Sequence, residues 1–161
     1  MKWILPLVAM LAATPALVCA DHAAPAPSTW SGQQSGVSKA SQLVVRSADE
    51  FSALWQRVHA TAKPQPAVPA VDFEKSIVVA AFMGTRTTGG YSISIGHPTK
   101  HDGKLTVTVH QSLPGGGPQA QVITTPWAMR AIPVDNPQVD VSFKTKLSLP
   151  QRAPTRAPRQ N

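Results

Sequence analysis

Residues 76–83 read SIVVAAFM. A strand with one wet face alternates apolar and polar residues, because successive side chains point to opposite sides. Here both alternating sets, Ile77-Val79-Ala81-Met83 and Val78-Ala80-Phe82, are apolar. The run therefore predicts a central strand with a covering layer on each side, and the flanking chain has to supply both layers.

One layer is legible upstream. Ser47 followed three residues later by Glu50 is a capping-box pattern, and Phe51, Leu54, Trp55 and Val58 recur at helical spacing. This predicts a helix over 48–60 whose apolar stripe, with Trp55, faces the core. Pro64, Pro66 and Pro69 break the stretch that follows.

The other layer is read as strands. SQLVVRS (41–47) is a short candidate ahead of the helix. Downstream, YSISI (91–95) and KLTVTVH (104–110) alternate cleanly, followed by AQVITT (120–125), AMRAIPV (128–134) and VDVSF (139–143). Parallel neighbours need a crossover of about a dozen residues, so strands this close in sequence point to antiparallel pairing. The expected fold class is α+β: a mostly antiparallel β-sheet of about six to seven strands with one amphipathic helix packed on a face.

The ends have different compositions. Lys2, an apolar run from Ile4 to Val18 and the small-residue pattern Val18-Cys19-Ala20 read as a signal peptide over 1–20, cut after Ala20. The expected location is periplasmic or secreted. Cys19 opens an alternative, a lipoprotein acylated at that cysteine. Residues 21–40 read as a Pro/Ala/Ser-rich linker, 41–148 as the α+β domain, and 149–161 as a basic, Pro-rich disordered tail. The chain has a formal net charge of +7, and after Asp140 it carries Lys144, Lys146, Arg152, Arg156 and Arg159 with no acid. Envelope contact through that tail is a possible use of the charge. Nucleic acid is a poor partner for an exported chain, and no segment after the leader is long and apolar enough for a transmembrane span.

Chemistry-bearing constellations are sparse. His97 and His101 lie in GHPTKHDG, a run of turn residues, with no third ligand in sight. No serine sits in a G-x-S-x-G turn, and PGGGP lacks the ending of a phosphate loop. No catalytic residue, metal ligand or cofactor is assigned, and the expectation is a protein without enzymatic activity.

Two loops invite a different reading. TRTTGGY (85–91) sets stiff threonines and permissive glycines before an aromatic, and PGGGP (114–118) is a second glycine loop. Thr87, Thr88, Gly89, Gly90 and Tyr91, with Gly115, Gly116, Gly117, Pro126 and Trp127, are the candidate partner-binding residues. Loops on a rigid sheet are frequent binding sites, and Tyr and Trp are enriched where partners dock.

VDFEKSIVVAAFMGTRTTGGYSISI, followed by LTVTV, the proline-glycine loop and TTP, resembles the C-terminal domain family of the protease-complex protein PrcB, over roughly residues 71–133. The resemblance implies an accessory or stabilising partner of a protease complex, with no active site of its own. A second likeness, to chagasin-type inhibitors of papain-like proteases, rests on RTTGGY, GGGP and TPW in that order, with Thr125 where those inhibitors carry arginine. It implies an inhibitor acting through the same loops.

The leader reading is checked by mass. The exported protein is expected to start at Asp21; a diacylglycerol-bearing chain starting at Cys19 would replace the diffusible form with a membrane-held one.

Overall fold

A computed structural model of the chain describes residues 29–115 and 117–149. The expected signal peptide with Cys19, Gly116 and the tail from residue 150 onward lie outside the described residues, as do 21–28 of the expected linker.

The elements run β1 (Thr29–Gly32), β2 (Ser41–Val45), α1 (Ala48–Val58), β3 (Ser76–Phe82), β4 (Ser92–Ile95), β5 (Thr99–His101), β6 (Lys104–Ser112), β7 (Trp127–Pro133) and β8 (Asp140–Ser148). The class is α+β with mostly antiparallel strands. Among the described residues there are eight strands rather than six to seven, and they form two sheets rather than one. The first sheet has the order β1-β7-β3-β2, antiparallel throughout. In the second, β4 and β5 pair antiparallel with successive parts of β6, and β8 runs parallel along its whole length. Since β8 occupies one edge of β6 throughout, β4 and β5 share the other.

That parallel pair escapes the spacing argument because β7, between β6 and β8 in sequence, belongs to the other sheet. The stretch from Leu113 to Val139 thus serves as the crossover that parallel neighbours require.

The three layers are helix, sheet and sheet, and β3 lies in the middle. Ile77, Val79 and Ala81 face the second sheet, packing with Ile93, Ile95, Val107 and Val109. Val78, Ala80 and Phe82 face the helix, packing with Phe51, Leu54, Trp55 and Val58. Both faces of β3 are dry, as its composition demands, and each fully buried Val or Ile contributes roughly 1.5–3 kcal/mol.

Helix α1 starts as its sequence dictates. The Ser47 hydroxyl accepts from the Glu50 N–H at 3.3 Å, and a Glu50 carboxylate oxygen accepts from the Arg46 N–H at 3.1 Å. The return contact reaches one residue beyond the cap itself. Beneath the helix Trp55 meets Trp127 edge-on at 6.2 Å and Trp30 at 6.0 Å, and its indole N–H donates to the Pro66 carbonyl at 3.1 Å. The proline-rich segment thereby satisfies a buried donor that would otherwise be costly.

Two local expectations need correction. Thr29–Gly32, inside the stretch read as linker, is a strand paired with Arg130–Trp127 of β7; four residues without an apolar alternation give no period to detect, yet Trp30 packs on the helix-side core. Residues 120–125 are not a strand. Thr124 makes one isolated bridge to Arg86, and the Thr125 N–H turns instead to the Gln33 carbonyl at 2.9 Å, so the segment pairs with loops. The short β5 was not anticipated; it closes onto β6 through Asp102 and Gly103, both at positive φ, a tight hairpin turn suited to an Asp-Gly pair.

One substitution in each core tests the layered arrangement. Ile77→Ala should cost about 2–5 kcal/mol and Phe51→Ala about 3–5 kcal/mol in urea unfolding. Both variants should still unfold in a single transition; separate transitions for the helix side and the sheet side would contradict a shared β3.

Candidate functional site

One end of the sandwich gathers three loops. Met83 leaves β3 there, and the chain runs through 84–91 into β4, while 113–126 returns from β6 to β7 and 33–40 joins β1 to β2. These loops are tied to each other. The Arg86 and Thr124 backbones exchange hydrogen bonds at 2.7 and 2.9 Å, the Gly89 N–H donates to the Ala120 carbonyl at 3.0 Å, and the Thr124 hydroxyl donates to the Thr88 carbonyl at 3.4 Å.

The third loop is held by a polar cluster that no local sequence signal marks. The buried Thr125 hydroxyl accepts from the Ser35 N–H and donates to the Ser35 carbonyl, while the Ser35 hydroxyl donates to the Thr125 carbonyl. Gln34 adds a bond from its amide to the Ile123 carbonyl at 2.9 Å. The partners lie 89 or 90 residues apart, so only the fold brings them together.

Two glycines are required by geometry. Gly84 has φ +73°, and a Cβ there would meet the Ala40 nitrogen at 2.7 Å; Gly90 has φ +85°, and a Cβ would meet Gln119 Oε1 at 2.7 Å and Pro114 Cβ at 2.9 Å. Both conditions exclude a side chain. Gln119 braces the neighbouring loop, donating to the Gly115 and Gly117 carbonyls at 3.0 and 3.2 Å.

The candidate residues divide sharply. Thr87, Gly90 and Gly117 are exposed, and Thr88, Gly89, Tyr91 and Gly115 are half-buried. Tyr91 packs its ring against the sheet–sheet core, with the Arg86 guanidinium carbon 5.3 Å from the ring centre, a cation–π arrangement. Pro126 and Trp127 behave differently. Both are buried, and the Trp127 indole N–H donates to the Gln34 carbonyl at 2.9 Å. Trp127 faces the helix because its position in β7 matches that of Met129, whereas Ala128 faces the other sheet. These two residues shape the end from within and offer no surface to a partner. The third of the three inhibitor-like loops therefore presents no aromatic.

Sequence reasoning missed Val122 and Ile123, which are 43% and 66% exposed; Val122 lies beside Gly89. The reading of 120–125 as a strand hides them, because alternation in a strand buries one of two neighbours. Across 85–91 and 113–125 the ionisable side chains are Arg86 and Tyr91, so this surface offers apolar contact and backbone hydrogen bonds rather than acid–base chemistry.

His97 and His101 take different partners. His97 Nδ1 lies 3.1 Å from an Arg130 guanidinium nitrogen, and His101 pairs with Asp102 in the β5–β6 turn. Among the described residues no group of three or more His, Cys, Asp or Glu side chains could hold a metal ion, and no helix is long and apolar enough to cross a membrane.

Residues 77–133 match the family model described as PrcB C-terminal. The PrcB C-terminal match begins in β3 and ends with β7, so it contains both exposed halves of this loop end. No curated protein matches the chain, and no solved structure does.

Replacing Gly90 by alanine is expected to cost about 1–3 kcal/mol from backbone strain alone. Thr125→Val should cost roughly 1–3 kcal/mol by stranding the Ser35 groups. Chemical denaturation measures both, and a change below about 0.5 kcal/mol in either, the scatter of ordinary surface substitutions, would contradict a loop end held by these contacts.

Proposed function

We propose that the chain is an exported, non-enzymatic protein-binding domain that serves as an accessory or stabilising partner of a protease complex in the periplasm or outside the cell. The observation that carries this reading is the PrcB C-terminal match over 77–133, because the matched segment includes the exposed loop surface and its description supports a protease-associated setting.

The contact is made at the loop end by Thr87–Gly90, the rim of Tyr91, Gly117 and the exposed pair Val122 and Ile123. Several features suit these loops to docking. They are cross-linked by backbone hydrogen bonds and stand on a buried sheet, so little freedom is lost on binding. The apolar pair supplies area to bury, and the glycines expose backbone groups to pair with. Residues that hold the scaffold, Trp127 and Thr125 among them, contribute by fixing the loops. The basic tail adds attraction to anionic envelope components and raises the rate of encounter without setting specificity.

The experiment is capture from envelope extract with the processed chain as bait, run beside Ile123→Asp and Thr87→Asp. Both positions are exposed, so these variants leave the core intact. The parent should recover a protease or a subunit of its complex, both variants should recover about tenfold less, and the protease should have a shorter lifetime in cells lacking the chain. Recovery of no protease, or equal recovery by the variants, would overturn the reading.

A further inference from the structure

Among the described residues one edge of strand β8 pairs with no other strand. The Leu113 N–H donates to the Ser148 carbonyl at 3.0 Å, and the parallel register runs unbroken from Lys104 opposite Asp140 to Ser112 opposite Ser148. Backbone groups in a strand alternate between its two edges residue by residue. The even-numbered residues of β8 therefore bond to β6, while Val141, Phe143, Thr145 and Leu147 turn both N–H and C=O away from it. Two contacts agree with this assignment. An Arg46 guanidinium nitrogen donates to the carbonyl of Val139, the preceding odd residue, and on the far side of β6 the Gly96 N–H reaches the Thr108 carbonyl.

Among the described residues the only strand paired with β8 is β6. Gln42 reaches from β2 to Thr145, but it engages the side-chain hydroxyl and leaves the backbone free.

The side chains along this edge are sorted by face. Val141 and Phe143 pack partly into the sheet–sheet core. The same face continues past the core with Leu147 and Leu149, which are 65% and 74% exposed. The opposite face carries Lys144 and Lys146, both exposed, beside Thr108 and His110 of β6.

We propose that the β8 edge accepts an added strand from another protein, an extended segment that alternates acidic and apolar side chains. The outward amides and carbonyls would bond its backbone, the leucines would cover its apolar residues, and the lysines would pair with its acids. Lysines on an edge strand commonly serve to prevent pairing, and here they do so against a second copy of this chain. Antiparallel pairing of two β8 edges centred on Thr145 would bring Lys144 and Lys146 against the same lysines, with Asp140 the only acid in the strand. Charge complementarity thus selects a different, acidic occupant. This inference stands on β8 alone and does not depend on the protease reading.

The probe is an acetylated, amidated octapeptide of alternating glutamate and valine, with a lysine–valine octapeptide as control. Amide hydrogen exchange in the processed chain is read residue by residue. In the free chain Phe143, Thr145 and Leu147 should exchange fast while Lys144 and Lys146 are protected. Saturating acidic peptide should slow the three outward amides about tenfold, and the lysine–valine peptide should not. Thr145→Pro removes one outward N–H without touching the β6 ladder, and should weaken binding about tenfold. The Lys144→Glu/Lys146→Glu double variant changes only exposed side chains and should reverse the peptide preference.

Outward amides that are already protected in the free chain, no added protection with the acidic peptide, or full-strength binding by Thr145→Pro would each overturn the proposal. Protection by the acidic peptide that vanishes in Thr145→Pro and switches peptide in the double variant would establish it.

Discussion

The whole arrangement depends on β3 being buried on both faces. Residues Ile77 to Phe82 are nearly inaccessible, and a strand with no wet side cannot exist without two layers to cover it. The helix meets one need and the β4–β6–β8 sheet meets the other. Because both cores share this strand, and because the Met83 N–H continues on to the Pro126 carbonyl at 3.0 Å, the loops at its end inherit its rigidity. Position of the loops and stability of the core are in this sense the same problem.

Much of this architecture was legible, for reasons that differ by element. The double apolar alternation of 76–83 leaves one structural solution. The capping box and the stripe of Phe51, Leu54, Trp55 and Val58 reinforce one another, so helix α1 is specified locally. Alternation in 91–95 and 104–110 correctly marked one buried face each, but it does not say which layer covers that face. That is why one sheet was expected where two exist. The parallel pairing of β8 was hidden for the same reason, since sequence spacing cannot show that β7 belongs to a different layer.

The site was legible in part. TRTTGGY stood out because glycine and threonine restrict the backbone in opposite ways, and the positive φ of Gly90 with Pro114 and Gln119 pressed against it explains the glycine physically. Trp127 was harder to place. Its local sequence fits both a surface aromatic and a core anchor, and only the pairing of β7 with β3 decides which side it takes. The Ser35–Thr125 cluster and the exposed Ile123 had no local signature at all. Each arises where chain segments remote in sequence meet.

The functional account rests on polarity between the two ends of the sandwich. At the end opposite the loops, Glu74, Lys75, Lys100 and Asp135 rim an open cleft floored by Leu105 and Ile132, with Lys100 and Asp135 paired at 3.0 Å. That rim is charged and the loop end is apolar and backbone-rich, so the two surfaces suit different partners. Site-specific photo-crosslinking in living cells tests the central claim most directly, with a photoreactive residue placed either at Ile123 or at Glu74. The account predicts a crosslink to a protease-complex component from Ile123 and none to that component from Glu74. The same crosslink arising from Glu74 alone, or from neither position, would contradict it.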